Sequence, residues 1–135
     1  MTLLMPRPFA TRLLFEAQKR PDEEVCGLVA EDSEGTFVLY PVQNTAENRQ
    51  REFEMDAQQQ VAAMRQMRER GETLLAIYHS HPDTPPEPSA KDLDALGYPE
   101  AIYLIISLNI KGVLEMRGWK RAENEVEEVD LKVMA

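Results

Sequence analysis

The feature that most limits the fold of this 135-residue chain is a proline-rich stretch in its second half. Residues 82–88 read PDTPPEP, four prolines in seven residues. Proline has no backbone N–H and a fixed φ, so the stretch is excluded from a helix interior and from a central strand. We predict a stiff surface loop. It follows an apolar run at 73–81, which we predict to be a buried strand.

Apolar spacing and turn residues predict the remaining elements. Helices are predicted at 9–20, from Asp56 to near Gly71, and at 89–96. Strands are predicted at 25–30, 36–42, 52–55, 73–81, 101–108, 112–120 and 126–133, the first two as a hairpin. These elements indicate one α/β or α+β domain over residues 1–135, with a mixed β-sheet flanked by helices.

The second helix carries the clearest local signals. Asp56 is placed as its N-cap, with Gln59 three residues further on. Val61, Met64 and Met67 follow at helical spacing, and we expect them to lie on its apolar face.

Charge and cysteine content exclude several classes of function. The formal net charge is −9, with 24 acidic residues against 15 Lys and Arg, which opposes binding to a phosphate backbone, so we expect no nucleic-acid partner. One cysteine cannot form an internal disulfide, and no signal-peptide pattern opens the sequence, so we expect a reducing, cytoplasmic location. The apolar runs are far shorter than the roughly 20 residues of a membrane span, so none is expected.

Both histidines of the sequence occur together, as His79-Ser80-His81 at the end of the predicted buried strand. Residues i and i+2 of a strand project from the same face, so the two imidazoles point the same way. Catalytic zinc takes three protein ligands and keeps one open position. A third ligand is therefore required nearby.

The carboxylates that follow the histidines are candidates for this third ligand: Asp83, Glu87, Asp92 and Asp94. Asp92 is the best placed, because it lies in the first turn of the helix that Ser89 is predicted to cap. The prolines restrict Asp83 and Glu87, and Asp94 faces away from Asp92. The residues alone leave open a chance histidine pair and an Asp92 that serves the helix dipole.

Four separated motifs, the first of them made of two segments, resemble those of the JAMM (MPN-plus, or JAB) metalloproteases. HSHP at 79–82 and PSAKD at 88–92 are similar to the family's His-x-His and Ser-x-x-Asp signature, with ten residues between the second histidine and the aspartate. EVCGL at 24–28 is similar to the family's Glu-x-Cys-Gly-Leu segment, and YPVQN at 40–44 and FEMD at 53–56 are weaker matches. The resemblance covers about residues 10–110 and implies a cytidine-deaminase-like MPN fold.

The resemblance also implies a catalytic site with one zinc ion per chain. His79, His81 and Asp92 are the implied ligands, and the fourth position holds water that hydrogen-bonds to Glu24. Zinc lowers the pKa of such a water to about 7, and Glu24 is the implied general base and acid. Ser89 is implied to donate a hydrogen bond to the developing oxyanion.

Other interpretations of three of these residues stay open. Composition does not separate Glu24 from Glu23, although strand parity puts Glu24 on the face of Cys26, in agreement with the family spacing. The residues alone favour Ser89 as a helix N-cap. A thiol-protease role for Cys26 is disfavoured, because no cation nearby in the sequence lowers the thiol's pKa; a small buried apolar residue is the simpler interpretation.

The resemblance implies a peptidase or isopeptidase that cleaves after the C-terminal Gly-Gly tail of a ubiquitin-like or sulfur-carrier protein. The compact chain resembles the minimal prokaryotic members of the family. Two alternatives remain: a non-catalytic MPN scaffold and a zinc hydrolase of a small amide. The oligomeric state also stays open, a homodimer included.

Overall fold

A computed structural model describes residues 1–90, 92, 97–98, 100–110, 113–123 and 125–134. These residues contain seven strands and two long helices. In chain order they are β1 (Thr2–Pro6), α1 (Arg7–Gln18), β2 (Cys26–Glu31), β3 (Phe37–Val42), α2 (Ala57–Glu69), β4 (Thr73–His81), β5 (Ile102–Ile110), β6 (Val113–Ala122) and β7 (Glu125–Met134). Most of the helix predicted at 89–96, with Asp94, lies outside the described residues, although Ala90 and Asp92 are helical.

The strands form one mixed sheet in the order β1-β7-β6-β5-β4-β2-β3. β1 pairs with β7 and β4 with β5 in parallel, and the other neighbours are antiparallel. This architecture confirms the predicted fold class. β4 is an interior strand, with β2 on one side and β5 on the other. No helix in the described part of the chain is long and apolar enough to cross a membrane.

The two helices cover opposite faces of the sheet. Phe9 and Leu13 of α1 pack in one apolar cluster with Tyr78 of β4. Met67 of α2 packs in a second cluster with Ile77 of the same strand. Side chains alternate between the two faces of a strand. The β4 residues that are an even number of positions from Ile77 therefore project to the α2 face.

The strand predicted at 52–55 is wrong. Met55 forms an isolated bridge with Asn44 and no ladder, because the side chain of Asn44 hydrogen-bonds the backbone of Glu52 and Glu54. β1 was not predicted from the sequence. Its alternating residues Leu3 and Met5 are buried.

Val61 does not join the buried face of α2. Its side chain is exposed, whereas Ala63 and Met67 are buried. At about 100° per residue, Val61 lies about 200° around the helix from Ala63. The predicted N-cap is confirmed, since the Asp56 carboxylate accepts a hydrogen bond from the backbone N–H of Gln59 at 2.9 Å.

Gly27 of β2 lies where the Tyr78 ring crosses the strand, and we expect Gly27→Ala to destabilise the fold. A Cβ at Gly27 would lie 2.5 Å from Tyr78 Oη and 2.6 Å from the carbonyl oxygen of Tyr40. That carbonyl belongs to the paired strand β3 and cannot swing away. The expected loss of unfolding free energy is about 3 kcal/mol, at the upper end of overpacking costs.

Gly118→Ala is the matched control, because its Cβ would meet ends of flexible apolar side chains, the nearest at 3.1 Å. Urea denaturation of both variants measures the difference. Equal losses in the two variants would contradict the steric interpretation.

Candidate metal centre and active site

The C-terminal end of β4 presents two imidazoles on the α2 face of the sheet. His79 and His81 are almost completely buried, and their Nε2 atoms lie 3.1 Å apart. His79 is held between Cys26 of β2 and Ile105 of β5 in the strand register. The predicted orientation of the two rings toward a common point is therefore observed.

Asp92 completes a triangle of potential ligand atoms. Its Oδ2 lies 3.1 Å from His79 Nε2 and 3.0 Å from His81 Nε2. Ligand atoms bound at 2.0–2.1 Å to a tetrahedral zinc ion lie about 3.3 Å from one another. The three atoms thus have nearly the spacing of one face of such a site.

Hydrogen bonds donated by neutral histidines do not account for the contacts within this triangle. His81 Nδ1 lies 2.8 Å from the carbonyl oxygen of Pro85. A carbonyl can only accept, so Nδ1 carries the proton, and a neutral His81 presents an unprotonated Nε2 to the Asp92 carboxylate. Two acceptors then face each other at 3.0 Å. Either a proton on Nε2 or a cation between the atoms relieves this contact, so the donor set fits a metal ion.

Burial and hydrogen bonding act in opposite directions on the pKa values of the three groups. Burial lowers the pKa of His79. Burial opposes charge on His81 too, but its hydrogen bonds to Asp92 and the Pro85 carbonyl raise its pKa above the usual value. Burial alone would raise the pKa of Asp92, yet hydrogen bonds from both histidines hold it well below its usual range. The pocket therefore favours a carboxylate with a positive charge beside it.

Glu24 is the fourth member of the cluster. Four potential ligand atoms lie within 4.8 Å of one another, one each from Glu24, His79, His81 and Asp92. Glu24 is buried, and its Oε1 has no hydrogen-bond partner among the described residues. Burial, together with the nearby Asp92 carboxylate and against the effect of His81, raises the pKa of Glu24 to about 8. Such a carboxyl group is suited to proton transfer near neutral pH.

Glu23, the neighbouring candidate, faces the protein surface. Its carboxylate accepts a hydrogen bond from Arg49 at 2.9 Å and lies 3.7 Å from Arg20. The structure thus places Glu24, and not Glu23, with the imidazoles.

Ser80 and Asn44 hold the backbone on both sides of Glu24, a role for which the sequence has no distinctive signal. Ser80 Oγ accepts a hydrogen bond from the N–H of Val25 at 2.9 Å, on the side of β4 away from the two imidazoles. Asn44 Nδ2 donates to the carbonyl oxygen of Glu24 at 2.8 Å. The hydroxyl of the serine within His-x-His therefore ties β4 to the segment that carries the buried glutamate.

Ser89 and Asp92 form a reciprocal helix cap. The backbone N–H of Asp92 donates to Ser89 Oγ at 3.1 Å, and the N–H of Ser89 donates to Asp92 Oδ2 at 2.9 Å. This is the capping-box arrangement. The cap uses a lone pair of the hydroxyl and not its proton, so Ser89 Oγ retains a donor for another group. The two roles considered for Ser89 are therefore compatible.

The other acidic candidates lie in ion pairs away from the imidazoles. Asp83 accepts a hydrogen bond from Arg51 at 3.0 Å, and Glu87 pairs with Arg117 at 3.4 Å. Both carboxylates are about half exposed. The described part of the structure brings neither of them to the candidate site.

Cys26 has the environment of an apolar residue. It is buried, its Sγ donates to the carbonyl oxygen of Val42 at 3.4 Å, and burial raises the pKa of its thiol to about 12. A thiolate is scarcely populated at neutral pH, which agrees with the interpretation of Cys26 as a packing residue.

The proline-rich loop is fixed to the sheet through three successive carbonyl groups. Thr84 accepts from Ser107 Oγ at 2.6 Å, Pro85 contacts His81, and Pro86 accepts from Trp119 Nε1 at 3.0 Å. The loop has no regular structure, as predicted, and its attachment to β5 and β6 delivers Ser89 and Asp92 to the end of β4.

Two cavities border the site. A cleft of about 560 Å³ is lined by Glu24 and Cys26, by the end of α1 and by the end of β3. On the other side, a small apolar pocket of about 20 Å³ is lined by Phe53, His79, Asp92 and Trp119 among others.

The buried Glu24 predicts an unusual pH dependence for the metal-free protein. Its pKa is raised from 4.5 to about 8 on folding, so its contribution to stability is complete below pH 4.5 and is lost as the pH rises through 8. Between pH 5 and pH 8.5 we expect the unfolding free energy of the chelator-treated parent to fall by about 1–3 kcal/mol more than that of Glu24→Gln. Both histidines are present in both proteins, and the electrostatic coupling between Glu24 and His81 is part of the measured difference.

Denaturant unfolding at several pH values measures this difference. Parallel pH profiles of the two proteins would show that Glu24 does not carry a buried, destabilising charge.

Comparison with known proteins identifies the family. Residues 6–122 match the family of prokaryotic homologs of the JAB domain. A desampylase from Pyrococcus furiosus is 30% identical over 133 residues, with 98% of this chain and 91% of the relative covered. A CysO-cysteine peptidase from Mycobacterium tuberculosis is 26% identical over 134 residues, with the same coverage of 98% and 91%.

The fold is shared with a JAB1/MPN domain protein from Archaeoglobus fulgidus. The TM-score is 0.58 at 14% identity, and the match covers 96% of this chain and 99% of the other. The family match spans β2, β4 and the loop that carries Asp92, and therefore includes all four clustered side chains. The chain belongs to the prokaryotic JAB family, the JAMM-type hydrolases of peptide and isopeptide bonds that its sequence motifs resemble.

Proposed function

We propose that the protein is a zinc-dependent peptidase or isopeptidase that hydrolyses the bond after the C-terminal Gly-Gly of a ubiquitin-like or sulfur-carrier protein. The observation that carries this proposal is the triangle formed by His79 Nε2, His81 Nε2 and Asp92 Oδ2, with sides of 3.0–3.1 Å. The Glu24 carboxyl group lies within 4.8 Å of these atoms. The names of the relatives, desampylase and CysO-cysteine peptidase, support a protein-tail substrate.

His79, His81 and Asp92 would hold the metal, and their buried rings and carboxylate are held by β4 and by the cap at Ser89. When bound, zinc supplies a lowered pKa for a coordinated water and polarises the substrate carbonyl. Two imidazoles and one carboxylate form a ligand set typical of zinc hydrolases. The Glu24 carboxyl group lies beside these ligands, and its buried Oε1 has no hydrogen-bond partner among the described residues.

Glu24 would move the proton of the reaction. Its carboxylate accepts a proton from the attacking water as the carbon–oxygen bond forms, and the protonated group then donates it to the leaving amine as the carbon–nitrogen bond breaks. The buried setting raises the proton affinity of Glu24, which suits both steps. The Glu24 carbonyl oxygen accepts from Asn44 Nδ2, and the Glu24 N–H donates to the carbonyl oxygen of Arg49, so these bonds leave its carboxyl group available.

Ser89 would stabilise the negative charge that develops on the carbonyl oxygen. Its hydroxyl accepts from the N–H of Asp92 and keeps its own proton for donation. A donor fixed by the helix cap needs little reorganisation during the reaction.

The position of the site in the sheet favours a narrow substrate tail. β2 and β5 occupy both edges of β4 near the histidines, so a substrate strand cannot pair with β4 itself. The tail must pass over the face of the sheet beside the fixed proline-rich loop. Glycine has no side chain and allows such close backbone approach.

The proposal is tested by incubating the purified protein with small β-grasp carriers extended by several residues beyond Gly-Gly. We expect cleavage after the second glycine, its loss with a chelator and its recovery on addition of zinc. The control carrier has Ala-Ala in place of Gly-Gly. Absence of metal-dependent cleavage of every carrier would contradict the proposal, and equal cleavage of a small amide would favour the small-molecule alternative.

A further inference from the structure

The two histidines of the site are supported in different ways. The outer nitrogen of a metal-binding histidine usually has a hydrogen-bond partner that fixes the ring. His81 has one, the carbonyl oxygen of Pro85 at 2.8 Å from Nδ1. Nδ1 of His79 is buried and has no hydrogen-bond partner among the described residues. Some other contact must therefore orient the His79 ring.

Phe53 supplies a contact of this kind. Its ring stacks on the His79 imidazole, with centroids 4.4 Å apart and an angle of 24° between the planes. Stacked aromatic rings in contact stabilise each other beyond the area that they bury. Phe53 and His79 also line the same small apolar pocket beside Asp92. The flat face of Phe53 restricts rotation of the imidazole, whose Nε2 points at the ligand triangle.

Hydrogen bonds hold the backbone of the residues immediately before and after Phe53. Asn44 Nδ2 donates to the carbonyl oxygen of Glu52 at 3.1 Å, and Asn44 Oδ1 accepts from the N–H of Glu54 at 3.0 Å. The same Nδ2 atom donates to the carbonyl oxygen of Glu24. The residues that flank Phe53 are therefore fixed to the segment of Glu24, which holds the backbone of Phe53 in place beside His79.

We propose that Phe53 is a positioning residue for His79, and that it does by ring stacking what the Pro85 carbonyl does for His81 by hydrogen bonding. This inference rests on the proposed zinc centre. Loss of the stacking face allows the His79 ring to rotate about χ2, which weakens metal binding without removal of any ligand.

The test is the zinc affinity of Phe53→Leu, measured by competition with a chromogenic chelator. Leucine keeps an apolar side chain of similar bulk but has no flat face. We expect zinc affinity to fall by about 10- to 100-fold, the range found when outer partners of metal ligands are removed. Phe53→Tyr retains the ring, and its affinity is expected to stay within about twofold of the parent's.

Phe37→Leu is the matched control. Phe37 is half-buried like Phe53, but it packs against Phe9 in the cluster on the other face of the sheet. Its loss should lower stability and leave zinc affinity unchanged. Because the sequence has two histidines, ¹⁵N spectra of the metal-free proteins give a second readout: the His79 ring signals should shift or broaden in Phe53→Leu, and more than those of His81, which contacts His79 and Asp92 but not Phe53.

The outcomes separate the two proposals. If the parent does not bind zinc at the ligand triangle, the proposed function fails. If the parent binds zinc and Phe53→Leu binds it equally well, with unchanged His79 signals, the positioning role of Phe53 is wrong and the proposed function stands. Equal losses of affinity in Phe53→Leu and Phe37→Leu would also overturn the inference, since general destabilisation would then be the cause.

Discussion

Replacement of Glu24 by glutamine is expected to leave zinc bound and to lower kcat by about 10²- to 10⁴-fold, the usual contribution of general acid–base catalysis. Glutamine has nearly the shape of the neutral glutamic acid but cannot accept a proton from water. Glu24 is not one of the three atoms of the ligand triangle, so the metal content should stay close to that of the parent. Zinc analysis and steady-state kinetics on the same preparation measure both effects.

Glu23→Gln is the control for this experiment. Glu23 is adjacent in sequence, yet its carboxylate pairs with Arg49 and Arg20 at the surface. We expect nearly parental kcat for this variant. Full turnover by Glu24→Gln would show that the proton is carried by another group, and an equal loss in Glu23→Gln would show that the effect is not specific to Glu24.

Replacement of Asp92 by asparagine is expected to abolish activity together with zinc binding. The carboxylate supplies the negative charge of the ligand triangle, and a neutral amide oxygen is a much weaker zinc ligand. The loss of zinc affinity should exceed the roughly 10- to 100-fold effect of an outer partner. Activity should fall to that of the chelator-treated parent. Equilibrium dialysis measures the zinc affinity, and the cleavage assay measures the activity.

Asparagine is preferred to alanine here because Asp92 has a second role. Its Oδ2 accepts the backbone N–H of Ser89 in the helix cap, and an amide oxygen can still accept that bond. Asp83→Asn is the control, since Asp83 pairs with Arg51 at the surface. Parental zinc content and turnover in Asp92→Asn would remove Asp92 from the metal centre.

The sequence predicted most of the strands because their apolar residues follow simple patterns. Residues close together in the sequence indicated three of these features: the buried strand that ends in His79-Ser80-His81, the hairpin of β2 and β3, and the Asp56 cap. The error at 52–55 had a non-local cause: the backbone around Phe53 bonds to the side chain of Asn44 instead of a neighbouring strand. β1 is short and depends on pairing with β7 at the opposite end of the chain.

The sequence predicted some residues of the candidate site better than others. The two histidines and Asp92 could be argued from strand parity and helix position, whereas the choice of Glu24 over Glu23 needed the family motif. The outer contacts were not predictable. The Pro85 carbonyl and the Phe53 ring have no distinctive sequence pattern, and they contact the histidines only because the loop and the segment before α2 fold back on β4.

The most direct test of the central claim is anomalous scattering at the zinc absorption edge from crystals grown with zinc. We predict one strong peak per chain, about 2.0–2.1 Å from His79 Nε2 and His81 Nε2 and from the nearer oxygen of Asp92, with Glu24 close by and not bound. A peak on other side chains, or none at this triangle in zinc-saturated crystals, would contradict the proposed metal centre.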